Sequence, residues 1–132
     1  ITRIHTDGKP LQGKTVMIVD DDMRNVFALS RVLRSLDVNT IKAENGKKAL
    51  SLLDSRIDLV LMDMMMPVMD GYETMQRIRA DKRFSHLPII ALTAKAMKQD
   101  KEKCIKAGAS DYLSKPVEID RLLAMMRIWL YR

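Results

Sequence analysis

The sequence predicts an α/β fold in which a five-stranded parallel sheet carries helices on both faces. The first observation is a wholly apolar run, Leu59–Met62, which is too short for a helix and is bounded by polar residues. Such a run is typical of a strand buried on both faces of a parallel sheet. The second observation is that other short apolar runs alternate with segments of helical periodicity. This alternation predicts a doubly wound parallel sheet.

Each predicted strand is a short apolar run that ends at charged or turn-forming residues. The five runs are Thr15–Val19, Val38–Ala43, Leu59–Met62, Pro88–Leu92 and a short segment at Tyr112–Leu113. Because parallel strands need crossover connections, we expect a helix after each of them.

The predicted helices are supported by apolar spacing and by terminal residues. Val26, Leu29, Leu33 and Leu36 recur at helical spacing, and a second helix is predicted near Lys47–Leu53, after an Asn45-Gly46 turn. Asp70 is the predicted N-cap of a third helix, and Gly108 is the predicted end of a lysine-bearing fourth helix. The last helix is predicted over about 118–131, with Leu122, Met125, Met126 and Trp129 along one stripe.

Length and composition indicate a single globular domain. The chain has 132 residues, of which 47% are hydrophobic and 30% charged. Residues 1–13 contain Gly8, Pro10 and Gly13 and are predicted to be a linker or N-terminal extension, with the domain at 14–132. No apolar run approaches the roughly 20 residues of a membrane span, and no signal peptide is evident. The single Cys104 excludes an internal disulfide, which favours a reducing, cytoplasmic location.

The basic charge favours protein partners over nucleic acid. The net charge is +6, and lysines cluster in the predicted fourth helix at Lys95, Lys98, Lys101, Lys103 and Lys106. Aromatic residues are not interleaved among them, and neither zinc-finger spacing nor a helix-turn-helix signature is present. We therefore expect a solvated helix face or a surface that meets an acidic protein.

Charged and hydroxyl side chains follow the predicted strands where the sheet ends. They are Asp20, Asp21 and Asp22 after the first strand, Asp63 after the third, Thr93 after the fourth and Lys115 after the fifth. In a doubly wound sheet the first and third strands are neighbours, so Asp63 should face the aspartate triplet. Clustered carboxylates repel unless a cation intervenes, and hard oxygen ligands suit Mg²⁺. A hydroxyl and an ammonium beside them suit a phosphoryl group.

These residues resemble the receiver domain of two-component response regulators. The resemblance covers roughly residues 14–131 and rests on Val19-Asp20-Asp21-Asp22, Met62-Asp63, Met66-Pro67, Asp70-Gly71, Thr93-Ala94 and Lys115-Pro116. It implies a flavodoxin-like fold with strand order 2-1-3-4-5. It also implies that Asp63 accepts a phosphoryl group from a phosphohistidine on a histidine kinase or a histidine phosphotransfer domain, with no direct contact to nucleic acid or membrane.

The resemblance further implies a role for each remaining site residue. Asp20, Asp21 and Asp63 would hold Mg²⁺, for which Mn²⁺ could substitute, and the backbone carbonyl of Met65 would be another ligand. Thr93 and Lys115 would contact phosphoryl oxygens. Tyr112 would turn inward when Thr93 moves, altering the face made by the fourth helix, fifth strand and fifth helix. The Lys115-Pro116 bond is expected to be cis.

Two features depart from or vary within that pattern. Asp37 stands where a helix-ending glycine is common, which should cost the turn a little stability. The resemblance implies that Met65 and Lys95 occupy positions that vary in the family and tune how fast water removes the phosphate. Asp22 is expected mainly to favour the N-terminus of the first helix electrostatically.

Other site chemistries fit the sequence less well. A haloacid-dehalogenase-like phosphatase would share an aspartate nucleophile and Mg²⁺, but Arg24 stands where its motif needs Thr or Val, and its later acidic pair is missing. A flavin-binding module would need a glycine-rich phosphate loop after the first strand. The methionines between 62 and 69 suggest core packing rather than Cu(I) binding. His5 and His86 lie in no ligand cluster, which disfavours zinc.

The wider context is predicted from the chain ends. The first residue is Ile1 rather than Met, and the ending Trp129-Leu130-Tyr131-Arg132 resembles receivers at the carboxyl end of hybrid sensor histidine kinases. A stand-alone single-domain regulator is the alternative. The isolated domain is expected to catalyse only its own phosphorylation and dephosphorylation, whereas the parent chain, compatible with a membrane anchor, is expected to be a histidine kinase.

Overall fold

The computed structural model describes residues 10–94 and 97–131, which form one parallel sheet flanked by helices. The strands are β1 (Thr15–Val19), β2 (Asn39–Ala43), β3 (Leu59–Asp63), β4 (Ile89–Thr93) and β5 (Asp111–Ser114). The helices are α1 (Met23–Ser35), α2 (Gly46–Leu52), α3 (Gly71–Ala80), α4 (Lys98–Ala107) and α5 (Ile119–Leu130), with a 3₁₀ turn at Lys82–Phe84. All strand pairs are parallel, and the order is β2-β1-β3-β4-β5.

The sheet separates two apolar cores, which explains why its central strands β3 and β4 are apolar except at their last residues, Asp63 and Thr93. Every residue of β3 and β4 is buried. Met75 and Ile78 of α3 pack on one face of the sheet with Ala49 of α2 and Cys104 of α4. On the other face, Val26 and Leu29 of α1 pack with Leu122 and Met126 of α5. The predicted doubly wound fold and its strand order are therefore confirmed.

Side-chain caps set the starts of three helices. The Asp22 carboxylate accepts a hydrogen bond from the Arg24 N–H at 3.0 Å and so begins α1. Asn45 accepts from the Lys48 N–H at 2.7 Å, and Asp70 accepts from the Glu73 N–H at 2.9 Å. The predicted capping role of Asp70 is confirmed, and Asp22 is a direct cap rather than a purely electrostatic one.

Several predicted boundaries differ from the structure; for example, β2 begins at Asn39 rather than Val38, and β4 spans Ile89–Thr93 rather than Pro88–Leu92. The fourth helix was expected to begin near Lys95, but α4 begins at Lys98 after Met97, and residues 95 and 96 lie outside the described residues. Tyr112–Leu113 forms only the centre of the fifth strand, which extends to Asp111 and Ser114. Boundaries are the least determined part of a sequence pattern, because frayed ends leave little apolar signal.

Residues 10–13, at the end of the predicted linker, pack on the domain. Leu11 is buried in the core shared by α1 and α5, and the Gly13 N–H donates to the Asp37 carbonyl at 2.9 Å. His5 lies outside the described residues, whereas His86 is exposed. Within residues 10–94 and 97–131, no helix combines the length and apolar character needed to cross a membrane.

Candidate functional site

The carboxyl ends of β1, β3, β4 and β5 converge on one acidic site. Val19 pairs with Met62, which places Asp20 next to Asp63 at the ends of neighbouring strands. Asp63 pairs with Leu92, and Thr93 pairs with Ser114 just before Lys115. In open parallel sheets this edge is where ligands bind.

Three carboxylates form the floor and rim of the site. Asp20, Asp21 and Asp63 each offer an oxygen, and these oxygens all lie within 4.8 Å of one another. Asp20 and Asp63 are only 1% and 2% exposed, while Asp21 faces solvent. Hard, anionic oxygens at this spacing, with one ligand open to water, fit Mg²⁺, which keeps several waters when bound by proteins.

Lys115 bridges the two buried carboxylates. Its Nζ donates to Asp63 Oδ1 at 3.1 Å and to Asp20 Oδ2 at 3.4 Å. The backbone N–H of Lys115 donates to the Thr93 carbonyl at 2.8 Å, and the following bond to Pro116 is cis, as expected. The backbone hydrogen bond to Thr93 therefore fixes Lys115 at the end of β4, so that its ammonium lies beside Asp63.

The buried carboxylate of Asp63 is difficult to ionise. Burial raises the pKa of Asp63 from its usual value of 3.8 to about 6, and the charge of Asp20 acts in the same direction. The hydrogen bonds from Lys115 and from the Met65 N–H (3.2 Å) oppose this rise without cancelling it. Burial also acts to lower the pKa of Lys115, but its contacts with Asp63 and Asp20 outweigh burial and raise it.

Thr93 and Tyr112 lie on adjacent strands but not opposite each other. Thr93 is buried at the end of β4, and the register pairs Tyr112 with Ala91, two residues earlier. Because alternate residues share a face of the sheet, the two side chains are diagonal neighbours. The ring of Tyr112 is half-buried, and Lys101 Nζ of α4 lies 4.9 Å from its centroid.

Gly71 shapes the site through a close backbone approach, whereas the sequence identified it only as part of a helix-start pair. A Cβ at Gly71 would lie 2.7 Å from the Asp63 carbonyl oxygen and 2.8 Å from Met64 Cα. Only glycine therefore lets the start of α3 approach the end of β3. The sequence signal that could have revealed this is the glycine itself, because a glycine at the first position of a helix often marks a close approach between two backbone segments.

A family model described as the response regulator receiver domain matches residues 16–127. The chain belongs to this family. The polar-differentiation response regulator DivK of Brucella anthropi is 36% identical over 118 residues, which cover 89% of this chain and 96% of that protein. The predicted receiver assignment and the two-component signalling context are thus confirmed.

Solved receiver structures are similar along most of their length. The receiver domain of the sensor histidine kinase PA1611 from Pseudomonas aeruginosa, with a magnesium ion coordinated in its active site cleft, is 36% identical with a TM-score of 0.83. The alignment covers 91% of this chain and 99% of that one. The receiver domain of Ssk1 from Saccharomyces cerevisiae, crystallised with the histidine phosphotransfer protein Ypd1, is 30% identical with a TM-score of 0.85, covering 92% and 91% of the two chains.

Proposed function

We propose that Asp63 is the phosphoacceptor of this receiver domain. The observation that carries the proposal is the position of its carboxylate, which lies at the end of the central strand between a lysine ammonium at 3.1 Å and two further carboxylates. Asp20 shares the burial and both kinds of neighbour, but Asp63 lies nearer the lysine ammonium (3.1 against 3.4 Å) and ends the central strand of the sheet. Lys115 offsets the charge of one of the three carboxylates, so the site would need a bound cation as a phosphorus atom approaches an oxygen of Asp63.

The reaction we assign is phosphoryl transfer from a phosphohistidine of a partner. The bond between the imidazole nitrogen and phosphorus breaks, a bond between an Asp63 oxygen and phosphorus forms, and the imidazole leaves with its electron pair and takes up a proton. A carboxylate is a weak nucleophile, so positioning and charge stabilisation carry the catalysis. The isolated domain would thereby catalyse only its own phosphorylation and later hydrolysis.

Asp20, Asp21 and Asp63, with the backbone carbonyl of Met65, would hold Mg²⁺. The three carboxylate oxygens lie within 4.8 Å of one another, and this oxygen-only donor set is what the ion prefers. When bound, the ion would supply positive charge to the transferring phosphoryl group. The magnesium in the similar PA1611 receiver supports this assignment, and we extend it to Mn²⁺.

Lys115 and Thr93 would contact the phosphoryl oxygens. The Lys115 ammonium already reaches Asp63 Oδ1 and Asp20 Oδ2, so it can follow the charge from the carboxylate to a phosphoryl oxygen. The hydroxyl of Thr93 stands at the end of the next strand and can donate to a second oxygen. Such donors, fixed in advance, stabilise the charge that develops in the transition state.

A groove beside the site is suited to the phosphodonor. Its volume is about 610 Å³, and apolar residues of α1 and the Pro116–Ile119 segment line it next to Asp20 and Lys115. A histidine kinase or a histidine phosphotransfer domain could pack there and present its phosphohistidine. The complex of Ypd1 with the Ssk1 receiver supports this class of partner.

We propose that the receiver unit, residues 14–132, belongs to a hybrid sensor histidine kinase and acts in the cytoplasm. The likeness to the PA1611 receiver, part of a sensor histidine kinase, supports this context. The likeness to DivK, a response regulator, favours the alternative of a stand-alone regulator.

The test is phosphorylation by acetyl phosphate and Mg²⁺, followed by intact mass measurement. The wild type should gain one phosphoryl group, and Asp63→Asn should gain none. Asp58→Asn is the matched control, because it changes the same residue type just before the same strand and should leave phosphorylation intact. Labelling of Asp63→Asn would place the phosphoacceptor elsewhere.

The metal assignment has its own test. Asp21→Ala removes the exposed carboxylate without opening the core, and it should abolish both Mg²⁺ binding and phosphorylation. Phosphorylation of the wild type should also stop in EDTA. Normal labelling in EDTA would refute the metal role of the acidic cluster while leaving Asp63 as the acceptor.

A further inference from the structure

A second surface lies on the outer side of α1, away from the groove at Asp63. Phe27, Arg31 and Arg34 are spaced by four and three positions and form a stripe on α1, which Lys42 of β2 faces. We call these four residues the α1–β2 surface. Two open grooves, of about 560 and 650 Å³, meet there and share Arg34 and Lys42.

The cations of the α1–β2 surface form no ion pair with a carboxylate of the described residues, although Asp37 lines the groove shared by Arg34 and Lys42. Four exposed arginines elsewhere each pair with an acid within four positions of the chain, namely Arg24 with Asp22, Arg56 with Asp54, Arg77 with Glu73 and Arg83 with Asp81. Among the described residues, no carboxylate forms such a pair with Arg31, Arg34 or Lys42. Their positive charge therefore remains available to a partner.

The same surface exposes an aromatic ring. Phe27 is 59% exposed and is the one aromatic among the large hydrophobic side chains that the described residues expose. Lys42 Nζ lies 5.0 Å from the ring centroid, so a cation already covers one face of the ring. The uncovered part of the ring offers apolar contact area directly beside the cations.

The backbone of β2 adds a third element, because β2 is an edge strand. The Asn39 N–H donates to the Lys14 carbonyl and the Ala43 carbonyl accepts from the Asp20 N–H, so the odd-numbered residues face β1. The alternation of a parallel ladder then directs the N–H and C=O of Thr40 and Lys42 toward the open edge. An extended polypeptide can pair with such an edge.

We propose that the α1–β2 surface binds an acidic, extended segment of a partner protein. Its carboxylates would pair with Arg31, Arg34 and Lys42, an apolar side chain would cover Phe27, and its backbone would pair with the edge of β2. The edge favours a polypeptide over a nucleic acid, because its alternating donors and acceptors match a peptide backbone. The groove beside Asp63 uses Asn25, Ala28 and Val32 on another side of α1, so both surfaces can be occupied together.

The test measures binding of a short labelled peptide of alternating glutamate and valine to the whole chain by fluorescence anisotropy. The double charge reversal Arg31→Glu with Arg34→Glu should weaken binding about tenfold or more. Phe27→Ala should weaken it several-fold. The matched control is Lys103→Glu with Lys106→Glu on α4, which changes the net charge equally on the opposite side of the sheet and should alter affinity less than twofold.

Hydrogen exchange, control ligands and the two reversal variants decide the proposal. In the wild type, the amides of Thr40 and Lys42 should become protected from hydrogen exchange when the peptide binds, and a peptide with glutamine in place of glutamate should not bind. An equal loss of peptide affinity in the α1 and the α4 charge-reversal variants would show attraction by net charge alone and would overturn the proposal. It would also be overturned if a single-stranded oligonucleotide of equal charge bound more tightly, or if the wild type showed no saturable binding. Unchanged phosphorylation of the variants confirms that they are folded.

Discussion

The carboxylate of Asp63 lies in surroundings that penalise its charge, because β3 buries it and Asp20 lies beside it. Lys115 offsets part of this cost through its contact at 3.1 Å. Added phosphate would place roughly two negative charges where the carboxylate has one. If Asp63 is the acceptor, as we propose, the added negative charge should make the site bind cations more strongly.

The first prediction concerns stability and pH in the absence of metal. The pKa of Asp63 is about 6 in the folded protein against 3.8 ordinarily. Between these values the folded state binds more protons at Asp63, so the contribution of Asp63 to the free energy of unfolding falls as pH rises from about 4 to 6 and is constant above. The difference between these two pKa values corresponds to a loss of about 3 kcal/mol in the free energy of unfolding. Asp63→Asn should lack this fall and be more stable than wild type at pH 7, as measured by urea unfolding in EDTA.

The quantity to compare is the difference in unfolding free energy between wild type and Asp63→Asn at each pH. Hydrogen bonds from arginines lower the pKa values of the exposed acids Asp22 and Asp81, so these acids affect stability with the opposite sign. Their effect is the same in both proteins and cancels in the difference. Asp58→Asn is the control for removing one charge. Parallel pH profiles for wild type and Asp63→Asn would refute the burial cost.

The second prediction concerns Asp37, which ends α1 in the left-handed conformation with φ 61°. The Val38 N–H donates to the Leu33 carbonyl at 3.0 Å, so the turn is a helix-ending motif that favours glycine. Asp37→Gly should raise the free energy of unfolding by about 0.5 kcal/mol, since relief of the side-chain clash exceeds the entropy that glycine gains in the unfolded chain. Asp37→Ala should instead lower it. A change of the same sign in both variants, measured by thermal melting, would contradict the conformational argument.

At the scale of elements, α3 and α4 are joined by one half-buried arginine. Arg79 donates through Nε to the Gly108 carbonyl at 2.9 Å and through Nη1 to the Phe84 and Leu87 carbonyls at 2.8 and 2.6 Å. Burial lowers the pKa of Arg79. A Cβ at Gly108, where φ is 122°, would lie 2.8 Å from Arg79 Cγ, so glycine is needed both for the end of α4 and for this contact.

The third prediction follows from that contact. Arg79→Lys keeps the charge, but a lysine ammonium lacks the planar fork of donors with which the guanidinium reaches three carbonyls. Some of these carbonyl acceptors would therefore be left unsatisfied. The free energy of unfolding should fall by about 2–3 kcal/mol. Arg77→Lys, two positions earlier on the same helix and exposed, should change it by less than about 0.5 kcal/mol. Similar losses in both variants, measured by urea unfolding, would show that the carbonyl contacts of Arg79 contribute little.

The elements and the acidic site were predictable, whereas Arg79 was not. β3 is apolar throughout and ends in Asp63, and parallel strands end at one edge, so the meeting of Asp63 with Asp20 follows from sequence pattern and topology alone. The partners of Arg79 are backbone carbonyls from two separate segments, the turn at Phe84–Leu87 and Gly108, and carbonyls leave no signature in a sequence. The diagonal placement of Tyr112 depended on register, which a four-residue strand does not specify by itself.

At the scale of the whole molecule, the site and the α4 side of the sheet are linked through two strand ends. Lys115 N–H bonds to the Thr93 carbonyl, which joins β5 to β4 directly at the site. Tyr112 of β5 lies three residues before Lys115, and Lys101 of α4 covers its ring. An inward turn of Tyr112 would have to break the contact with Lys101, so it would free a cation on α4.

The last prediction tests whether Thr93 drives this change. Shifting such an equilibrium from mostly off to mostly on needs about 5.5 kcal/mol, and a charge-assisted hydrogen bond supplies only about 1.5–3. Thr93→Ala should therefore still be phosphorylated, with Lys115 and the metal supplying the remaining stabilisation, but its conformational response should fall to less than about half. The measurement is the amide chemical shift change of residues 97–115 on adding beryllofluoride. Ser114→Ala, which alters the exposed register partner of Thr93, is the control and should respond as the wild type does. Equal responses in wild type and Thr93→Ala would refute the role of Thr93 and leave Asp63 as the acceptor.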